Sequence, residues 1–314
     1  MICYVIGKGS IGIRHASNIL ELGLELVHLS WRDIKIDSLR SELLKHNGKV
    51  CVVIATATNV RLPIIKLCSE LDIPMYIEKP VGFRTKDLKE IFSIPLELQQ
   101  KSFVGFMMRY HPLIGYLKEQ NLKNLYRFNI EIGHNVNDWR LGWKFSESYA
   151  ADPDGGGVLL DLCHEIDLAY LLCDTLNIEQ TLSFQHEDFD MVDIASCLFF
   201  SSKSGISGNV SLDYLAPELI RRGTLMCVDK HLSYDLNTCI VKEITKEGIK
   251  ESDFPYNRNQ MFMEAMKDFL DIANGNIIVN PIAPRLDKVK NVCFHIANAW
   301  EKRKFIGNIK ADLK

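Results

Sequence analysis

A chain of 314 residues, 47% hydrophobic and 25% charged, has the composition of an ordinary globular protein and enough length for two domains. Its 37 basic and 40 acidic residues leave a formal net charge of −3 with no block of one sign, which excludes the electrostatic footprint of a nucleic-acid or anionic-membrane binder and favours small-molecule chemistry. Nine cysteines lie singly, with no C-x-x-C pair to hold zinc or form a redox dithiol. With no room for a signal peptide before Gly7 and no apolar run long enough to span a bilayer, a reduced, cytoplasmic protein is expected.

The first third alternates short β-branched runs with helical periods. Strands are predicted at 2–6, 24–30, 50–56, 74–79 and 102–106, and helices at 10–22, 36–45, 62–71 and 85–92. The strand runs are apolar on both faces, as parallel strands covered by helices require, so a doubly wound Rossmann sheet is expected over 1–118. From about residue 125 the rhythm changes to longer alternating strands, among them LYRFNIEIGHNV, IASCLFFSS and LIRRGTLMCVD. These predict an α/β domain over 119–314 with an open, mostly antiparallel sheet and helices at 158–173, 257–274 and 286–301, the last able to pack back on the first domain. The irregular segment 135–157 has the length of a functional loop.

The hexapeptide GKGSIG (Gly7, Lys8, Gly9, Ser10, Ile11, Gly12) follows a strand and opens a helix, the context in which G-x-G-x-x-G binds a dinucleotide. Gly7 makes the turn, Gly9 lets backbone approach a pyrophosphate, Gly12 allows close helix–strand packing, and the helix N-terminus receives the anion. At the end of the second strand, where a carboxylate would bind the NAD ribose, the text is LSWRD; Ser30 and Arg32 suit the 2′-phosphate of NADP, so NADP is favoured over NAD. Thr56, Thr58 and Asn59 end the third strand and either line the cofactor or cap the next helix.

Further along, Glu78-Lys79-Pro80 within IEKPVG, then GFMMRYHP (105–112) and GGGVLLDLCHEID (155–167), join the glycine fingerprint GxGSIGxRH and IATxTN in one order. Together these resemble the Gfo/Idh/MocA family of NAD(P)-dependent oxidoreductases, over nearly the whole chain. With RYHP, the Trp139-Arg140 pair and HEID, the chain is most similar to members serving surface-polysaccharide and flagellar sugar synthesis. The resemblance implies hydride transfer between a nicotinamide and a carbinol carbon of a sugar or cyclitol. It also implies that Lys79, Asp161 and His164 serve the reacting alcohol. Two departures stand out: the family's D-x-x-x-H is one residue shorter here, and a histidine common in the third βα loop is Arg61.

Oxidising an alcohol needs a base for the hydroxyl proton and a cation for the developing alkoxide. His164 and Lys79 suit those roles, with Glu78 beside the lysine and a cis Lys79–Pro80 bond able to turn the amine toward the cofactor. On one continuous helix, Asp161, His164 and Glu165 would share a side. Arg109 and Tyr110 are expected in the interdomain cleft, and Trp139, Arg140 and Tyr149 supply an aromatic platform and a cation for a sugar ring. No third ligand accompanies Asp161 and His164, so no metal is expected. An exposed sheet face needs covering, which points to a homodimer or homotetramer. Two alternatives stay open: nicotinamide-assisted elimination or glycoside cleavage on the same fold, and a non-catalytic nucleotide sensor.

Overall fold

The structure is a computed structural model that describes residues 1–46, 48–139, 144–173 and 175–313. Strand β1 (Ile2–Ile6), helix α1 (Ser10–Glu21), β2 (Glu25–Leu29), α2 (Ile36–Leu44), β3 (Val50–Ile54), α3 (Arg61–Glu70) and β4 (Met75–Ile77) follow one another as βα units. Two short helices, α4 (Thr85–Ile91) and α5 (Leu96–Gln100), precede β5 (Phe103–Val104). The strands form one parallel sheet in the order β2-β1-β3-β4-β5. Every residue of β3 is buried, as expected for a central parallel strand covered on both faces.

Helix α6 (Pro112–Glu119) and β6 (Leu125–Gly133) come next, followed by short 3-10 turns through the irregular segment and then α7 (Val158–Asp161) and α8 (His164–Cys173). Strands β7 (Asn177–His186), β8 (Phe189–Ser201), β9 (Ser207–Asp213), β10 (Ile220–Cys227), β11 (His231–Asp235), β12 (Ile240–Thr245) and β13 (Gly248–Asp253) build a second sheet. Helices α9 (Arg258–Ala273) and α10 (Leu286–Glu301) lead to β14 (Lys304–Ile309). The order of this nine-stranded sheet is β13-β12-β11-β10-β6-β9-β8-β7-β14. Its pairs are antiparallel except β6 with β9 and β14 with β7.

The chain divides into two compact units, Met1–Tyr110 with Asn257–Phe294, and His111–Tyr256 with His295–Lys314. The return of 257–294 to the first unit has a clear physical basis. Val104 donates its amide to Pro284 O and Leu286 its amide to Ser102 O, so this segment extends the β5 edge of the parallel sheet. On α9, Asn259 exchanges hydrogen bonds with Asn18 and accepts one from Arg14, both on α1, and the Arg14 guanidinium lies 4.9 Å from the Phe262 ring. Among the described residues no helix is long and apolar enough to cross a membrane.

Candidate active site

The glycine turn after β1 has three positions with three different steric demands. Gly7 has φ +124°, and a Cβ there would lie 2.3 Å from Ala55 O. A Cβ on Gly12 would lie 1.9 Å from Gly7 O, so α1 is seated directly on the turn. At Gly9 a Cβ would meet nothing within 4 Å. Gly9 is also the N-cap residue of α1, with no side-chain capping bond and no acidic residue in the first turn. Lys8, Gly9 and Ser10 are exposed. Bare backbone, outward amides and the positive end of a helix fit the pyrophosphate of a nicotinamide dinucleotide. His28 on β2 supports the turn through Nε2 and Gly7 O at 2.9 Å, a contact that a lone histidine in a strand gives no sign of.

The neighbouring strand ends carry the other expected cofactor residues. Ser30 and Arg32 follow β2 in a turn closed by Asp33 N on Ser30 O, with Arg32 exposed. Thr56 follows β3, and Thr58 and Asn59 lie in the 3-10 turn before α3. The N-cap residues are Ala57 for that turn and Val60 for α3, neither with a side-chain cap bond. Arg61, only 4% exposed, donates from Nε and Nη2 to Thr56 O at 3.2 and 2.7 Å and from Nη1 to both Glu78 O and Pro80 O. The Lys79–Pro80 bond is cis, and Lys79 is half-buried.

Under Lys79 lies a buried pair that the sequence named only in part. His15 Nε2 donates to Glu78 Oε1 at 2.7 Å, and Lys79 N donates to Glu78 Oε2 at 3.2 Å. Gly105 makes room for this carboxylate, since a Cβ there would lie 2.8 Å from Glu78 Oε2. Burial raises the Glu78 pKa, but the His15 hydrogen bond and the charges of His15, Lys79 and Arg61 outweigh it and hold the carboxyl below its ordinary value of 4.5. Its contribution to stability is therefore complete above that value and is lost as pH falls through the lower, folded-state value. Glu78→Gln is expected to cost about 1–3 kcal/mol at neutral pH and to flatten the acid side of a melting-temperature series below pH 4.5. Parallel acid slopes for parent and variant would contradict this.

In the second unit the expected single helix over 158–173 is broken. Helix α7 ends at Asp161, two turn residues intervene, and α8 begins at His164. Asp161 therefore stands on a different helix from His164 and Glu165 and does not share one helical face with them. Asp161 is the last residue of a single turn closed by Asp161 N on Gly157 O and Leu162 N on Val158 O. Its carboxylate accepts from Tyr149 Oη at 2.9 Å and Tyr214 Oη at 3.3 Å. Burial and the Asp161 charge push the Tyr214 phenol well up, which keeps it a donor. His164 is 6% exposed. Glu165 is an ion-pair residue, accepting from Arg221 Nε at 2.6 Å, and Asp167 is fully buried.

The glycine run before α7 is fixed by residues the sequence did not single out. A Cβ on Gly157, at φ +94°, would lie 2.2 Å from Asp193 Oδ1. Asp193 Oδ2 accepts from Leu159 N at 2.8 Å and Ser196 Oγ at 3.2 Å, and its Oδ1 lies 3.2 Å from Arg303 Nε. Trp300 Nε1 donates to Gly156 O at 3.1 Å, with the Arg303 guanidinium 4.1 Å from the Trp300 ring. Burial raises the Asp193 pKa despite these partners.

Of the residues expected at the substrate, Arg109 is buried with Nη1 donating to Ile282 O at 3.2 Å, and Tyr110 Oη donates to Asp268 Oδ2 at 2.7 Å on α9. Trp139 stacks on His134 at 6.0 Å and meets Tyr214 edge-on at 5.2 Å, so one aromatic cluster joins it to Asp161 through Tyr214. Tyr149 is 52% exposed beside the same carboxylate. Arg140 lies outside the described residues.

No family model matches the chain, and no curated protein matches it in sequence. Solved structures do match it along its length. UDP-N-acetylglucosamine 3-dehydrogenase GnnA from Acidithiobacillus ferrooxidans is 17% identical with a TM-score of 0.72, over 96% of this chain and 99% of that one. An inositol dehydrogenase homolog from Azotobacter vinelandii, complexed with NAD+, is 13% identical with a TM-score of 0.74, over 96% and 94%. A levoglucosan dehydrogenase in complex with NADH is 14% identical with a TM-score of 0.76, over 96% and 97%. The chain has the fold that its resemblance to the Gfo/Idh/MocA family implied. At these identities the likeness is one of fold, and the two sheets, one parallel and one mostly antiparallel, are its substance.

Proposed function

We propose that the protein is an NAD(P)-dependent oxidoreductase that moves a hydride between a nicotinamide and a carbinol carbon of a sugar, sugar derivative or cyclitol. The observation that carries this reading is the turn at Gly7, Gly9 and Gly12, closed by backbone at its first and third glycines and bare at the second. Neighbours in fold whose names give nucleotide sugars, anhydrosugars and inositols support a polyol substrate. When bound, the nicotinamide supplies the hydride acceptor or donor.

Within this reading His164 takes or returns the hydroxyl proton, and Lys79 stabilises the developing alkoxide and relays a proton. Asp161, oriented by Tyr149 and Tyr214, positions the reacting group. Trp139 and Tyr149 offer the sugar an aromatic surface, with Arg109, Tyr110 and Arg140 as polar contacts. A panel of free and nucleotide-activated sugars and cyclitols, assayed for NAD and NADP reduction, tests the activity. Binding of neither dinucleotide overturns the whole reading, and binding without turnover on any polyol overturns the activity alone.

For the cofactor we propose NADP, on Ser30 and the exposed guanidinium of Arg32 after β2. Arg32→Ala is expected to weaken NADP binding about tenfold, the scale of one charge-assisted hydrogen bond, and to leave NAD binding nearly unchanged. Equal losses for the two dinucleotides in a fluorescence titration would remove Arg32 from the 2′-phosphate.

A further inference from the structure

We propose that Arg61 is a positioning residue that sets the main chain at Lys79, and through it the lysine amine, for the reaction proposed above. The role in catalysis rests on that reading; the clamp itself does not. Arg61 is the first residue of α3, and its guanidinium reaches two adjacent strand ends at once. Nε and Nη2 hold Thr56 O after β3, and Nη1 holds Glu78 O and Pro80 O, the carbonyls on either side of Lys79. On the opposite side the Lys79 amide is held by Glu78 Oε2, and that carboxylate is itself fixed by His15 on α1. The main chain at Lys79 is thus tethered to β3, α3 and α1 before its side chain begins.

This arrangement is unfavourable as a plain helix start. A cation at a helix N-terminus opposes the helix dipole, and Arg61 is 4% exposed, so its charge has also left water. A conflict between local preference and position is what a functional constraint produces. The planar guanidinium can hold several carbonyls in fixed directions at once, whereas a lysine ammonium in the same place is a single point of donation on a flexible stem. The four donations to three carbonyls therefore give Arg61 a task that its charge alone would not.

The test compares the parent with Arg61→Lys and Arg61→Met. Turnover, dinucleotide affinity and melting temperature are read together with the rate at which a small amine-reactive reagent labels Lys79, followed by peptide mass spectrometry. Expected in a folded variant is a fall in kcat on the order of 10²-fold with substrate KM and dinucleotide Kd within about threefold, because displacement of a reacting group acts on turnover more than on binding. Lys79 is expected to label several-fold faster, with Arg61→Lys between the parent and Arg61→Met.

Parental labelling of Lys79 in a folded variant overturns the proposal whatever happens to kcat, and so does a loss confined to dinucleotide binding. If both variants fail to fold, Arg61 belongs to stability and the positioning role is overturned. If the parent reduces neither dinucleotide with any polyol, the oxidoreductase reading fails while the labelling rates still decide the clamp.

Discussion

His164→Ala is expected to lower kcat by about 10²–10⁴-fold, the range that a positioned general acid–base contributes, while dinucleotide affinity stays at the parental value. The separation follows from where the residues sit. His164 opens α8 in the second unit, whereas the glycine turn and the strand ends that suit the dinucleotide belong to the first. Because the imidazole is 6% exposed, deleting it also removes packing, so His164→Asn, which preserves more of the volume, accompanies the alanine variant. Both are read by steady-state kinetics, a dinucleotide titration and a thermal melt. A folded His164→Ala enzyme with parental kcat would remove the histidine from the chemistry and leave Lys79 as the group to test next.

Gly12→Ala and Gly9→Ala are expected to fail in opposite ways. In the Gly12→Ala variant the added Cβ would fall 1.9 Å from Gly7 O and 2.9 Å from Gly7 C, backbone atoms that cannot swing aside. Helix α1 must then lift from β1, at the cost of about 1–3 kcal/mol or more that overpacking imposes. A lower melting temperature should accompany the loss of dinucleotide binding. Gly9 has φ −74°, which alanine accepts, and open space where the methyl would go. Gly9→Ala should therefore keep or slightly raise stability, by up to about 1 kcal/mol through the unfolded state, and still lose dinucleotide affinity. Parental affinity in Gly9→Ala would move the pyrophosphate away from this turn.

The contrast between these glycines also marks what the sequence made legible. The βα rhythm of the first third was readable because buried parallel strands admit almost only apolar residues, and β1 through β4 lie where those runs are. The glycine turn was readable because its function depends on missing side chains at fixed spacing. The interruption between Asp161 and His164 was not, since LLDLCHEID has uniform helical character and the break depends on a turn fixed from elsewhere in the unit. The contacts of His15, Asp193, Tyr214 and Trp300 share a second reason for escaping notice. Each reaches a partner far along the chain, such as the Trp300 bond to Gly156 across 144 residues, and local pattern carries no trace of such pairings. The short strands β13 and β14 escaped for want of apolar alternation, being mostly exposed or half-buried along their length.

The threading of the chain bears on how it is made. The parallel sheet finishes its β5 edge with residues 284–286, and the turn at Gly156–Gly157 is closed by Trp300 and, through Asp193, by Arg303. Domains commonly fold as units while the chain is still being synthesised. Here each unit waits for residues far downstream of those they complete, so an edge stays unfinished in the first until residues 284–286 have emerged and in the second until residues 300–303 have.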